Sequence, residues 1–321
     1  MTAEAAHIRT VPPAARWFPP NWRALGQLLR LPNLLTVPGD PAVGFLFVAW
    51  MGRYPRYEYM AAACVAGVLL YMFGLVLNDL RDRGEDAADR PHRPIPSGRV
   101  SPMQAMALAV GLAAGGMLAA ALTFSWAAVV VAAVLLAMIL AYDLVLKRIP
   151  AAGPLSMGLC RALSVLLGAS VKGWAGVLHP PALLAAAIVG AYVAAVTLIA
   201  RRETAGGPVG HKRNFPSMIL AFSFVFVFLA LLEETQYSSW AWPLLLLPVG
   251  AVAWAARAGI RLGLAASPGD VQKNVGRLVL GLLLVQATLA CMAGLPGVFS
   301  AVILAALFPV ALLLGRRFYA S

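Results

Sequence analysis

Residues 59–99 read YMAAACVAGVLLYMFGLVLNDLRDRGEDAADRPHRPIPSGR. Residues 59–78 are an apolar run with no period-2 alternation, close to the ~20 residues that a helix needs to cross a hydrocarbon core. The run ends in Asn78-Asp79, and charges of both signs follow as far as Arg90. A membrane helix that passes straight into an acidic segment sets carboxylates at the boundary between lipid and water.

Outward from this stretch the same apolar blocks recur, at 33–52, 102–123, 125–142, 154–172, 181–200, 215–232, 240–256, 278–296 and 297–315. The expected fold is all-α, a polytopic transmembrane bundle of nine to ten helices. A β-barrel is disfavoured because the blocks are rich in Ala, Leu, Val and Gly without alternation. Composition agrees: 61% of the 321 residues are hydrophobic and 12% charged, with a mean hydropathy of +0.81. Soluble domains carry about a quarter charged residues. Residues 33–321 are expected to form one transmembrane domain. Residues 1–32 are expected to be a cytoplasmic tail in which Trp17, Phe18, Trp22, Leu25, Leu28 and Leu29 form an interfacial helix.

The net charge of +12 could suggest nucleic acid, but its distribution argues for topology instead. With an inside N-terminus, the outside connections hold only Arg53, Arg56 and Lys172, and Arg161 falls within a span; the rest of the 25 Lys and Arg residues lie inside. That asymmetry orients the chain by the positive-inside rule. The expectation is an integral protein of a bacterial inner membrane with both termini cytoplasmic, in contact with membrane lipid and not with nucleic acid. Cys64, Cys160 and Cys291 all lie in spans and form no CxxC pattern, so no disulfide framework or zinc site is indicated. No feature speaks to oligomeric state.

Asp79, Asp82, Glu85, Asp86 and Asp89 are five of the thirteen acidic residues. On a helix, Asn78, Asp82, Asp86 and Asp89 fall within an arc of about 80°. Like charges so placed repel unless a cation resides among them. All-oxygen ligands select a hard ion such as Mg²⁺, which takes one or two carboxylates, waters and phosphate oxygens. A solvated loop of alternating charge is the bland alternative, and it requires no helical register. Arg90-Pro91-His92-Arg93-Pro94-Ile95-Pro96-Ser97-Gly98-Arg99 follows as a basic connector. Its arginines suit phosphate oxygens and its prolines predict an extended course. Ser101, Pro102 and Gln104 predict a capping box opening the next span.

The first span is interrupted by Pro32, Pro38 and Pro41 and carries Asn33 and Asp40. Two readings stand: a kinked lead-in at the interface, or a broken helix whose Asn33 and Asp40 line a cavity. Arg161 lies inside the fifth span and should have a partner. Asp143 is the expected one, across the short 146–153 connection, either as a packing salt bridge or as part of the cavity.

The run Asn78, Asp79, Asp82, Asp86 with Arg90-Pro91 and Arg93-Pro94-Ile95-Pro96-Ser97-Gly98-Arg99 resembles the UbiA superfamily of intramembrane prenyltransferases, over residues 25–315. The resemblance implies a UbiA-like bundle around a central cavity open to the cytoplasmic side and to lipid. It implies two aspartate-rich sites that bind Mg²⁺ and an isoprenyl diphosphate, whose ionised prenyl group alkylates a lipophilic, often aromatic, acceptor. Asp79, Asp82 and Asp86 would hold Mg²⁺, with Asn78 as a polar neighbour and Asp79 and Asp82 catalytic. Arg90 and Arg93 would meet the diphosphate.

Tyr142-Asp143-Leu144-Val145-Leu146-Lys147-Arg148 is similar to the family's Tyr-containing segment that ends in Lys-Arg. Lys147 would contact the diphosphate, and Tyr142 would face the reacting carbon as a cation-stabilising ring. Interfacial anchoring is the other reading of Tyr142. The chain departs from the family at the second acidic loop, where Arg201-Arg202-Glu203 has a single acid. Either Glu203 supports a second Mg²⁺, or Arg201, Arg202, Lys212 and Arg213 neutralise the diphosphate in its place. Residues 153–161 and the lone Glu203 are similar to the EboC-like branch, and a tenth span exceeds the nine of the core family. The expected function is Mg²⁺-dependent transfer of a prenyl group from its diphosphate. The alternative is a UbiA-like protein that binds or moves a hydrophobic or lipid-linked metabolite without chemistry.

Overall fold

The structure, a computed structural model, describes residues 22–49, 51, 55–205, 210–233, 246–265 and 267–318. Among them the regular structure is helical throughout. Two short helices, α1 (Trp22–Leu28) and α2 (Leu31–Leu34), lead into α3 (Gly39–Val48) and α4 (Tyr57–Arg81). The short α5 (Arg83–Asp89) precedes α6 (Pro102–Ala121), α7 (Trp126–Leu144), α8 (Ala152–Ala169), the short α9 (Gly173–Val177) and α10 (Pro180–Ala205). Then come α11 (Phe215–Glu233), α12 (Leu246–Gly263), α13 (Pro268–Cys291) and α14 (Leu295–Phe318). Eight segments of the described residues are long and apolar enough to cross a membrane. The other two expected spans, 215–232 and 240–256, correspond to α11 and α12; residues 240–245 lie outside the described set. The chain is an integral membrane protein. Met103, Met106, Val110, Phe222, Phe299, Val302 and Ile303 are exposed apolar side chains of the kind that lipid covers.

Several boundaries differ from the hydropathy reading for one physical reason. Apolarity ends where the lipid ends, but backbone hydrogen bonding continues. α13 begins ten residues before its apolar part, with Pro268 in the first turn and Ser267 Oγ accepting from the Asp270 amide at 3.2 Å. The expected 257–277 loop is therefore mostly helix. The 90–101 connector is folded rather than extended: Val100 N donates to Pro94 O at 3.0 Å, and Ile95 and Val100 are buried. A proline-fixed φ suits turns as well as extended chain, and burial of Ile95 and Val100 decides between them. The capping box formed as expected, with Ser101 Oγ accepting from Gln104 N at 3.2 Å and Gln104 Oε1 from Ser101 N at 2.9 Å. Of the expected interfacial helix, Trp17 and Phe18 lie outside the described residues. α1 is not simply laid on lipid, because Ala24 and Leu28 are fully buried in the core.

The core has two halves. One joins α1, α4, α6 and α7, and the other joins α10 to α14; α3 and α8 run between them. Glycines let these two approach backbone to backbone: a Cβ on Gly44 would meet the Val165 carbonyl, and one on Gly168 the Pro41 carbonyl. Small residues at such crossings are the usual solution in membranes. Gly168→Val is expected to destabilise the bundle by about 2 kcal/mol or more, read as thermal unfolding in detergent. Gly111→Val, with nothing within 4 Å, should leave the melting temperature unchanged.

The first span is broken as the prolines require. α2 ends at Leu34, residues 35–38 turn, and α3 starts at Gly39. The Asp40 amide goes to Val37 O at 3.2 Å, which frees the Thr36 carbonyl. That carbonyl accepts from Arg161 Nη2 at 2.9 Å and from Gln286 Nε2 at 2.7 Å. Non-helical backbone at membrane depth is thus satisfied by protein.

Candidate active site

The site lies where the last turn of α4, the end of α7 and the first turns of α8 meet the chain around Arg30. α4 stops at Arg81, and Asp82 takes a non-helical conformation before α5 resumes. The Asp86 amide still bonds to Asp82 O at 2.8 Å, so the acidic residues nearly keep helical register. Asn78, Asp79, Asp82 and Asp86 are brought together; Asp89 is exposed.

Each of the three gathered carboxylates faces a cation. Asp79 Oδ1 accepts from Arg30 Nη2 at 3.0 Å and lies 3.7 Å from Arg93 Nη1. The same Arg93 nitrogen donates to Asp86 Oδ2 at 2.6 Å. Lys147 Nζ donates to Asp82 Oδ1 at 2.6 Å and to Asn78 Oδ1 at 3.2 Å. Asp79 and Asp86 are buried, so these ion pairs are screened less by water and salt than surface ones.

Behind the cluster a cavity of about 880 Å³, its open mouth included, runs into the bundle. Arg30, Tyr71, Asn78, Tyr142, Asp143 and Arg161 line it, with Leu75, Leu135, Ile139 and Met157 among the apolar walls. The aspartate–cation cluster stands at one end of this cavity, because Asn78 and Arg30 belong to both.

Tyr142, Asp143 and Arg161 line the cavity as expected, but Asn33 does not. It sits half-buried on α2, which packs against α13 and α14, and from this part of the chain Arg30 and Val37 face the cavity instead. Asp40 is fully buried and does not line the cavity either. The expected Arg161–Asp143 pair is not formed. Arg161 Nε lies 2.8 Å from Asp40 Oδ2, and Gln286 Nε2 donates to Asp40 Oδ1 at 2.6 Å. The reason is the broken first span, which presents Asp40 and the free Thr36 carbonyl to α8 from the other side. The Arg161 guanidinium also stands 5.8 Å from the Tyr71 ring centroid, within cation–π range.

Of the basic groups expected at the diphosphate, Lys147 and Arg93 are in the cluster. Arg90 is half-buried without a recorded ion pair among the described residues. Arg201 Nη1 donates to Ile149 O at 2.6 Å and Pro150 O at 3.0 Å, so it holds the α7–α8 connection that carries Lys147. Lys212 lies in a 3-10 turn, Gly210–Asn214, that packs against α10, α11 and α12. The side chains of Arg202 and Glu203 lie outside the described residues.

Sequence reading missed Arg30. Its backbone is left-handed, with φ of 48°, where it caps α2. This sharp turn between α1 and α2 aims the side chain at Asp79. No motif marks it; the only signal is a basic residue next to the proline-broken span.

The oxygen donors fit Mg²⁺. The recorded ion pairs engage one oxygen of each carboxylate: Oδ1 of Asp79, Oδ1 of Asp82 and Oδ2 of Asp86. No set of three or more His, Cys, Asp or Glu side chains converges on one point among the described residues. An ion held by one or two carboxylates, waters and phosphate oxygens requires no such set.

Fold and site together define a helical membrane protein with a charged cluster at the end of an apolar cavity. Residues 41–268 match the UbiA prenyltransferase family, and the chain belongs to it. Among curated relatives, the digeranylgeranylglyceryl phosphate synthase of Natronomonas pharaonis is 36% identical over 151 residues, 47% of this chain and 53% of that protein. The Halobacterium salinarum protein of the same name is 36% identical over 218 residues, covering 64% and 74%. The chain thus spans about half the length of the first relative and more of the second. Among solved structures, the apo UbiA homolog of Aeropyrum pernix K1 superposes with a TM-score of 0.62 at 18% identity, over 80% of this chain and 96% of that one. The Archaeoglobus fulgidus homolog bound to DMAPP and Mg²⁺ gives 0.56 at 18% identity, over 83% and 99%. These structural likenesses carry the fold.

Proposed function

We propose that the protein is a Mg²⁺-dependent intramembrane prenyltransferase that moves an isoprenyl group from its diphosphate to a lipid-phosphate acceptor bearing a free hydroxyl. The observation that carries this reading is the pairing of Asp79, Asp82 and Asp86 with Arg30, Arg93 and Lys147 at the mouth of an apolar cavity. The names of the curated relatives favour a glyceryl phosphate acceptor over an aromatic one.

Asp79 and Asp82, with Asp86 beside them, would hold the ion, which when bound neutralises charge building on the leaving diphosphate. Arg30, Arg93 and Lys147 exchange part of their carboxylate contacts for diphosphate oxygens. Their positive charge then stabilises the departing group. The prenyl chain lies along Leu75, Leu135 and Ile139 in the cavity, where few waters can reach the allylic carbon. The Tyr142 ring faces that space and stabilises positive charge there. The Lys- and Arg-rich end of the bundle is the cytoplasmic one in this reading, so the water-soluble product leaves on that side.

Purified protein given labelled geranylgeranyl diphosphate and geranylgeranylglyceryl phosphate should release diphosphate with Mg²⁺ and not with EDTA. Saturable binding without release would favour the non-catalytic reading. Arg30→Gln is expected to raise the KM for the diphosphate about tenfold, since a charge-assisted contact is worth roughly 1.5–3 kcal/mol. Arg83→Gln, exposed on α5, should not change it.

A further inference from the structure

Asp143 stands apart from the other carboxylates. It is 2% exposed, it lines the cavity, and its Oδ1 has no hydrogen-bond partner. Among the described residues lining the cavity it is the one carboxylate. The cations that could claim it are committed elsewhere. Lys147 is held by Asp82 and Asn78, Arg161 by Asp40 and the Thr36 carbonyl, and Arg30 by Asp79. Buried polar atoms without a partner are rare, and each calls for an explanation. Here the explanation lies in what the cavity would hold.

We infer that Asp143 is a catalytic residue that binds the acceptor hydroxyl and takes its proton as the ether bond forms. The inference rests on the prenyl-transfer reading and deepens it by naming the group that receives the acceptor's proton. As the allylic C–O bond breaks, its electron pair leaves with the diphosphate. A lone pair of the acceptor oxygen forms the new C–O bond, and the hydroxyl proton passes to Asp143, which later returns it to solvent through the open mouth. The neighbouring α7 residue, Tyr142, lines the same cavity, so base and cation-stabilising ring lie on one helix end. The carboxylates at the mouth are paired with cations and suit a metal–diphosphate. The one inside is unpaired and suits a neutral donor such as a hydroxyl, which fills an acceptor-only group without importing charge.

The test separates ionisation from capture. Wild type, Asp143→Asn and Asp143→Glu would receive labelled geranylgeranyl diphosphate, Mg²⁺ and geranylgeranylglyceryl phosphate, with diphosphate release, prenyl ether and free prenyl alcohol all measured. Binding of the diphosphate serves as the check on folding. Asp143→Asn is expected to keep release near wild type while ether falls about 100-fold, in the range that general-base catalysis supplies. The prenyl group then leaves as the alcohol formed with water, and Asp143→Glu restores part of the ether. Ether formation at the wild-type share in Asp143→Asn overturns the inference. Loss of binding and release in both variants also overturns it, since Asp143 would then be structural. If wild type itself shows no Mg²⁺-dependent release, the prenyl-transfer reading fails and this inference falls with it.

Discussion

Asp79→Asn and Asp82→Asn are each expected to lower Mg²⁺-dependent diphosphate release by about 10³-fold, the upper range for removing one preorganised electrostatic group. Asn keeps the shape of the side chain, so packing at the end of α4 survives. What is lost is the negative charge that offsets Arg30 and Arg93 at Asp79, or Lys147 at Asp82. Those cations remain, so affinity for the diphosphate alone should hold or tighten while turnover collapses. This split distinguishes loss of the metal-holding carboxylate from loss of the substrate pocket. Asp89→Asn, at an exposed position on the same short helix, is the control and should change release by less than about twofold, as surface charges contribute little. Asp79→Asn with wild-type release would mean that these carboxylates only organise the 90–101 connector.

Arg161→Met is expected to destabilise the protein by about 3–5 kcal/mol, the cost of leaving a buried charge without its partner. Asp40 is 0% exposed and faces Arg161 across the broken first span. Removing the guanidinium also strips one of the two donors from the Thr36 carbonyl. Asp40→Asn combined with Arg161→Met should recover a large part of the loss, because neither charge is then stranded. Thermal unfolding in detergent, with and without the second substitution, reads the coupling directly. With Asp40→Asn alone measured as well, a loss in the double variant equal to the sum of the two single losses would show that the pair is not coupled. If prenyl-diphosphate binding falls in step with stability, the pair acts on the cavity only through the fold.

Part of this architecture is legible in the amino-acid sequence. The apolar blocks after the broken first span map onto long helices among the described residues, because burial in lipid leaves one composition for a span and the backbone no alternative to helix. The Ser101–Gln104 capping box was legible because its geometry is local. Helix ends within polar stretches were not, since α13 and α10 continue past the lipid on hydrogen bonds that hydropathy does not register. The cluster was half legible. Its acidic side lies in one helical register, whereas Arg30 is separated from Asp79 by 49 residues of chain.

The sequence by itself determined the all-helical membrane fold and the acidic segment at 78–86, because these depend on composition and short-range spacing. Only the tertiary structure decided which charges meet. Arg161 could pair with Asp143 as far as chain proximity goes, but the proline break at 35–38 carries Asp40 to it instead. Asp143 Oδ1 is thereby left without a hydrogen-bond partner. Pairing between distant spans depends on how helices cross, and at Gly44 and Gly168 that crossing is set by backbone approach, which no single segment of sequence encodes.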